Sequence, residues 1–429
     1  MNLHDTMKAL EQGAFDTCLK ALYACDDCKP YRTRFLNAVK AFQEEFSADD
    51  STEIALFSAP GRTELGGNHT DHQGGHVLAG SVNTDIIAVA SKQNNYEIHL
   101  KSKGMNPDFV DLSDLSPQED ELNTSSALLR GIAAKFTEMG YPVTGFNAYT
   151  TSDILRGSGL SSSAAFEVLA GTICSSFFAD SQVNAVEIAK IGQYAENVYF
   201  GKPCGLMDQM ACAYGGIIAI DFKSEEPEIT QVSVDLQKEG YALCIIDTGA
   251  DHADLTDAYA SIPAEMGNIA KMFSKEKLSE ISETEFMSHL AGFRRTCGDR
   301  AVLRAMHYFA DDKRVGRQLH ALQNGNFEAY LEEVRASGLS SFRYLQNVSV
   351  YDNPEKQEVA VTIALCEHIL NGQGAVRVHG GGFAGTVQAY VPLALVNDFR
   401  MQIETYLGVD RCHVFQIRSL GSIALTAES

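Results

Sequence analysis

The stretch Ser58-Ala59-Pro60-Gly61-Arg62-Thr63-Glu64-Leu65-Gly66-Gly67-Asn68-His69-Thr70-Asp71-His72-Gln73-Gly74-Gly75 decides how this chain is read. It follows a strand-like run, Ile54 to Phe57, and packs one arginine, two histidines, one aspartate and several glycines into eighteen residues. A cation, hydrogen-bond acceptors and pliant backbone together suit a polyhydroxylated ligand. A polar surface loop is the plainer alternative, and the glycine density with mixed donors and acceptors argues against it.

Two further glycine-rich segments lie downstream. Arg156-Gly157-Ser158-Gly159-Leu160-Ser161-Ser162-Ser163-Ala164-Ala165 follows a strand candidate, Val143–Thr151, and opens a helix expected from Ala164 to about Cys174. Glycines there let backbone approach a ligand, and N–H groups at a helix start make a phosphate cradle. The serines alone also serve as simple helix caps. No Gly-Lys-Ser/Thr follows, so this is not a Walker A loop. The third segment, Val378-His379-Gly380-Gly381-Gly382-Phe383-Ala384-Gly385-Thr386, lies between two strand candidates. Three consecutive glycines cost backbone entropy, which points to close approach of a ligand or a neighbouring loop. Gly205-Leu206-Met207-Asp208-Gln209 adds a carboxylate after another glycine turn.

Composition narrows the function class. The chain has 429 residues, 45% hydrophobic and 21% charged, with a formal net charge of −22. Length suits two sizeable domains. The acidic balance repels phosphate backbones and anionic lipid, so neither a nucleic-acid nor a membrane-surface role is expected. A small anion can still be held by backbone N–H groups and a metal ion. No stretch of 18 apolar residues and no apolar leader after Met1 occur, so a cytoplasmic location is expected. Ten cysteines are scattered, and the one CxxC pair, Cys25 and Cys28, lacks the second pair a zinc site needs. Free thiols are the expectation.

Residues 1–48 carry apolar positions at helical spacing: Leu10, Phe15, Leu19 and Leu22, then Phe35, Val39 and Phe42. Strands are expected at Ile54–Phe57, Ile86–Ala90, Tyr96–Leu100, Val143–Thr151, Gly216–Phe222 and Tyr241–Asp247. Phe146, Ala148 and Thr150 share one face of the fourth. Ile188, Ile191, Ala195 and Val198 form a core-facing helical stripe. Lys223 to Gly240 reads as a linker or hairpin loop, and 261–371 as mostly helical. Strands return at Ala375–His379, Thr386–Val391 and Cys412–Ile417. The pattern predicts an α+β chain of two domains: a helical extension over 1–50, a first domain over 51–230 and a second over 231–429.

Taken together, the glycine-rich segments resemble the three motifs of the GHMP kinase superfamily, and the first resembles the galactokinase signature. That family reads A-P-G-R-V-N-L-I-G-E-H-T-D-Y where this chain reads A-P-G-R-T-E-L-G-G-N-H-T-D-H. The second resembles G-x-G-L-S-S-S-A-A, Pro203 to Gln209 echoes P-C-G-I-M-D-Q, and the third resembles G-x-G-F-G-G with Ala384 in place of one glycine. The likeness runs from about residue 54 to the end. It implies a two-domain GHMP kinase fold with its active site in the interdomain cleft, and an ATP-dependent sugar 1-kinase requiring Mg²⁺. Its partners would be a small sugar and ATP.

Carried over by position, the resemblance implies Asp208 as catalytic base with Arg62 as its partner. Sugar contacts would fall on Asn68, His69, Asp71, Gly205 and Tyr259. The phosphates would meet Gly157, Ser158, Gly159, Leu160, Ser161, Ser162, Ser163 and Ala164, and Mg²⁺ would be held by Ser163 and Glu196. The chemistry is coherent. A carboxylate takes the proton of a weakly nucleophilic hydroxyl, a guanidinium keeps that carboxylate ionised, and a cation neutralises phosphate charge. The bland alternatives are a salt bridge for Arg62, a solvated helix glutamate for Glu196, a structural histidine at His69 and a core tyrosine at Tyr259.

Asn68 stands where the family has a glutamate that contacts the sugar C6 hydroxyl. An amide both donates and accepts, so it tolerates a C6 carboxylate and raises a uronic acid, or another hexose, as an alternative to galactose. Replacements at Glu64 and His72 are expected to alter only surrounding packing. A non-catalytic sugar and ATP sensor is the reading from another class. It predicts damage to the serine loop or the base, yet Ser161 to Ala164 and Asp208 are present.

Overall fold

The computed structural model describes residues 1–155, 159–202, 204–224, 226–250, 255–351 and 353–428. The segment 1–50 forms α1 (Leu3–Gln12), α2 (Asp16–Tyr23) and α3 (Lys29–Glu45). Asn2 caps α1 by accepting from the Asp5 N–H, and Gly13 ends it in the left-handed conformation.

A first sheet follows: β1 (Ala55–Gly66), β2 (His76–Lys92), β3 (Glu97–Ser102), β4 (Asp108–Asp111), β5 (Gly145–Ser152), β6 (Ile217–Asp221) and β7 (Glu228–Val232). Its central order is β1-β2-β5-β3-β4, antiparallel except for the β3–β5 pair, with β6 on the far end of β2 and β7 on β6. Side chains alternate across the strands. Leu56, Ile87 and Val89 face Leu10, Leu19, Leu22, Phe35, Val39 and Phe42 of the N-terminal helices. Phe57, Ala88 and Ala90 face the main core, where Phe146 and Ala148 also lie. The first fifty residues therefore roof one face of the sheet.

The other face is covered by α4 (Ser125–Glu138), α5 (Ser162–Phe178) and α7 (Met207–Tyr214), with α6 (Ala185–Tyr194) packed against these helices. Asn184 and Glu187 close a reciprocal capping box at the start of α6. A π-helical turn, Ala195–Phe200, continues it. The expected stripe is buried at Ile188, Ile191 and Ala195, but Val198 is 47% exposed. The wider turn changes the angular step per residue and rotates Val198 off the core face.

The second sheet has the order β11-β8-β10-β9, all antiparallel: β8 (Tyr241–Asp247), β9 (Ala375–His379), β10 (Thr386–Pro392) and β11 (Cys412–Phe415). Between β8 and β9 the chain is helical: α8 (Thr256–Lys271), α9 (Glu283–Ser288), α10 (Leu290–Thr296), α11 (Asp299–Gln323), α12 (Phe327–Ser340) and α13 (Glu358–Leu370). α14 (Val396–Leu407) joins β10 to β11, and β12 (Ile423–Ala424) returns to pair with β1.

Two sequence expectations are refined. β1 runs on through Arg62 to Gly66 where a strand was expected to stop at Phe57. Pairing with β2 carries it past Pro60-Gly61 and Glu64, at the cost of two register shifts. The expected boundary at 230–231 falls inside β7, a strand of the first sheet, and the crossing to the second sheet comes between Val232 and Tyr241. No helix among the described residues is long and apolar enough to cross a membrane.

Candidate active site

Arg62 sits between the two irregularities of β1, and Asp208 is the second residue of α7. The guanidinium grips the carboxylate with both oxygens: Nε donates to Oδ1 at 2.6 Å and Nη2 to Oδ2 at 2.5 Å. Arg62 Nη1 donates to the Gly159 carbonyl, and its backbone N–H donates to Leu160 O at 3.0 Å. Gly61 leaves little room for a side chain, since a Cβ would lie 3.0 Å from Leu160 O. The first and second glycine-rich segments thus meet backbone to backbone.

Ser161 adopts a left-handed conformation (φ 54°) and precedes α5 without capping it. Its hydroxyl donates instead to Asp208 Oδ2 at 2.7 Å. The start of a 17-residue helix consequently carries no side-chain cap and no acid in its first turn. N–H groups without a partner among the described residues and the positive end of the helix dipole suit an anion there. Ser162 and Ser163 are exposed in that turn, while Leu160 and Ala164 are buried. Gly157 and Ser158 lie outside the described residues.

Burial pushes the Asp208 carboxyl up, but the Arg62 charge and hydrogen bonds, with the Ser161 hydroxyl, override it and hold the group below its ordinary value. It is an ionised carboxylate at neutral pH, open on one side.

Of the residues expected at the sugar, Asp71 and Gly205 are in apposition: a Cβ on Gly205 would fall 2.9 Å from Asp71 Oδ2. His69 (φ 59°) lies with its ring centroid 5.2 Å from that of Tyr259. Burial, then the neighbouring His72, push the His69 pKa down to about 3, so the ring is neutral. Its Nε2 lies 2.9 Å from Gly381 O and its Nδ1 3.3 Å from His72 Nε2. The carbonyl can only accept, so His69 Nε2 carries the proton and Nδ1 accepts from His72.

Asn68 is 0% exposed. Its Nδ2 donates to Gly380 O at 2.7 Å and to Glu64 Oε1 at 3.1 Å. Its Oδ1 accepts from Asn347 Nδ2 at 2.8 Å and Ser341 Oγ at 3.2 Å. Every position of the amide is taken by protein. Nothing is left for a sugar hydroxyl without breaking one of these bonds. Asn68 and His69 tie the third glycine-rich segment to the first. The second joins them at Gly159, where a Cβ would lie 3.1 Å from His379 Nδ1.

Glu64 is more than packing: it forms a buried ion pair with Arg377 of β9. Glu196, on the π-helical turn, accepts from Gln209 Nε2 at 3.1 Å. The same nitrogen donates to Glu167 Oε2 at 2.9 Å. Sequence reasoning missed Glu167. Its signal was the single charge in the apolar run Ala164-Ala165-Phe166-Glu167-Val168-Leu169-Ala170. Burial, then the nearby Glu196 carboxylate, push its pKa up to about 8.

Comparisons with known proteins address the family of the chain. The model of the GHMP kinases N terminal domain matches residues 127–216, and that of the galactokinase galactose-binding signature matches 40–92. A galactokinase of Actinobacillus pleuropneumoniae serotype 3 is 30% identical over 373 residues, covering 85% of this chain and 91% of its own. A Streptomyces coelicolor galactokinase is 29% identical over 370 residues, covering 85% and 90%. The crystal structure of Lactococcus lactis galactokinase complexed with galactose superposes with a TM-score of 0.76 at 26% identity, over 90% of this chain and 98% of that one. The Methanococcus jannaschii mevalonate kinase, at 14% identity, shares the fold (TM-score 0.61, 85% and 98% covered). Identity sustained over most of both chains, with the signature strand and the N-terminal domain each matched, makes this chain a member of the galactokinase family of GHMP kinases.

Proposed function

We propose that the chain transfers the γ-phosphoryl group of ATP to the anomeric hydroxyl of galactose, giving galactose 1-phosphate and ADP. The observation that carries this reading is the two-point Arg62–Asp208 grip beside the uncapped start of α5. Asp208 accepts the proton of the sugar O1 hydroxyl, O1 forms the new bond to Pγ, and the bond from Pγ to the β,γ-bridging oxygen breaks to release ADP. Arg62 keeps Asp208 ionised in the free enzyme and faces the charge that builds between base and phosphoryl group. The α5 N–H groups, with Gly159 and the serine hydroxyls, orient the phosphates. His69, Asp71, Gly205 and Tyr259 line the sugar side. Asn68 supports them by fixing the Gly380 carbonyl.

Ser163 and Glu196 are the residues that would hold Mg²⁺. The setting fits a hard cation, since oxygen donors dominate and the buried Oε1 atoms of Glu167 and Gln209 have no hydrogen-bond partner among the described residues. When bound, the ion neutralises charge on the phosphates.

A uronic acid substrate rested on the Asn68 amide meeting the sugar's C6 group. With that amide engaged by Glu64, Gly380, Ser341 and Asn347, galactose is the reading retained. The ten cysteines are free, which supports a reducing, cytoplasmic location. The test is ADP release from Mg·ATP with a panel of hexoses and galacturonate, with the product identified by phosphorus NMR. Turnover on galactose with an anomeric phosphate is the expected result. Preference for another sugar moves the substrate, and silence on all of them leaves a binding protein without turnover.

A further inference from the structure

Beside the Arg62–Asp208 pair lies a second polar cluster, assembled from three elements. Glu167 comes from α5, Glu196 from the π-helical turn after α6, and Gln209 from α7. One amide nitrogen, Gln209 Nε2, serves both carboxylates, at 2.9 and 3.1 Å. The arrangement is built in. Gly192 of α6 lies over it, and a Cβ there would fall 3.2 Å from both Glu167 Cβ and Oε2 and 3.3 Å from Gln209 Cγ.

The cluster is short of positive charge, and besides Gln209 its neighbouring donor is the Cys204 thiol, which faces Glu196 and lies 3.6 Å from Gln209 Nε2. Glu167 is 0% exposed and Gln209 1%, yet Oε1 of each has no hydrogen-bond partner among the described residues. A buried acceptor left unpaired costs about 1–3 kcal/mol. Lys202 is the nearby cation, 3.7 Å from Glu196 Oε1 on a side chain that is largely exposed, and it makes no ion pair with Glu167. Two buried carboxyl groups bridged by a neutral amide, with oxygen atoms to spare, become the donor set of a hard divalent cation once Glu167 gives up its proton to it.

We propose that Glu167 is the second carboxylate of a divalent-cation site shared with Glu196, and that this pair binds Mg²⁺ or Mn²⁺ before any nucleotide arrives. The inference rests on the kinase reading above and adds to it both a residue and an order of loading. Glu167 and Glu196 would then hold the cation ready to offset the phosphate charge of ATP.

The test is a Mn²⁺ titration of the nucleotide-free full chain followed by electron paramagnetic resonance, with thermal melting to confirm folding. The unmodified chain is expected to bind one equivalent. Glu167→Gln and Glu196→Gln are each expected to weaken binding tenfold or more. Glu167→Asp withdraws the carboxylate by one methylene and is expected to weaken it at least threefold, which keeps the test decisive where Glu167→Gln does not fold. Wild-type affinity in a folded Glu167→Gln or Glu167→Asp overturns the proposal, as does absence of nucleotide-free binding in the unmodified chain. Galactose-dependent ADP release by the same unmodified preparation reports separately on the kinase reading.

Discussion

Asn68 donates to the carbonyl of Gly380 at 2.7 Å, across 312 positions of sequence, and so fastens the third glycine-rich turn to the end of β1. His69 repeats the contact at Gly381. Asn68→Ala removes both amide bonds to Glu64 and Gly380 and strands Asn347 Nδ2 on one side. Loss of stability of about 2–4 kcal/mol is predicted from the buried groups left unpaired. Urea denaturation measures it. The galactose KM should rise with it, because the 380–381 turn no longer backs His69 and Tyr259.

Arg377 and Glu64 form an ion pair with almost no exposure, joining β9 of the second sheet to β1 of the first. Arg377→Met leaves Glu64 buried without its counter-charge, and should cost about 3–5 kcal/mol. Adding Glu64→Gln should recover most of that loss, since the uncompensated charge goes with it. A double-mutant cycle by denaturant melts reads both numbers. No recovery in the double variant contradicts the pairing as the source of the effect.

With Asp208 as the proposed base, the acid limb of activity is predicted to be set by Arg62. Burial acts to raise the Asp208 carboxyl, and the Arg62 charge more than cancels this, so the folded value lies below the ordinary one. The group therefore stays ionised throughout the pH range above the ordinary carboxylate value. In Arg62→Gln the raising effect of burial loses its main opponent, leaving the Ser161 hydroxyl as the weaker one, and the limb should move to higher pH. The pH profile of kcat/KM for the two proteins tests the direction. An unmoved limb in the variant contradicts the electrostatic role.

The first fifty residues are predicted to be indispensable to folding. Asp85 is 0% exposed and is bonded by Tyr23 and Arg34 from the extension, at 2.8 and 2.5 Å, and by Ser58 and Arg418 from the body of the chain. Deleting residues 1–50 removes half of those partners and bares Leu56, Ile87 and Val89 to water. The truncated chain should aggregate on expression. A soluble truncated chain with wild-type melting temperature refutes this.

Much of the site was legible because its chemistry is written in short local patterns. The serine run before an apolar helix and the arginine in a glycine-rich segment need no distant partner to be read. Arg62 and Asp208 were paired by family pattern alone, 146 residues apart, and the structure brings them to 2.5 Å. The path of β1 was not legible, since Pro60-Gly61 and Gly66-Gly67 break strand propensity and only pairing with β2 carries the chain through. Asn68 was read from its family position as a ligand contact. Its partners Ser341, Asn347 and Gly380 lie more than 270 residues away, beyond what one sequence reveals. Val198 followed helical spacing until a π-helical turn, unmarked in sequence, changed the phase.

The central claim is that Asp208 takes the sugar's proton. The most direct measurement is kcat for galactose phosphorylation by Asp208→Asn, with galactose and Mg·ATP affinities measured alongside. The variant is isosteric and keeps an acceptor for Arg62. The account predicts a fall in kcat of about 10²–10⁴-fold with both ligands still bound. A variant turning over within a few-fold of the unmodified chain would show that the proton goes elsewhere.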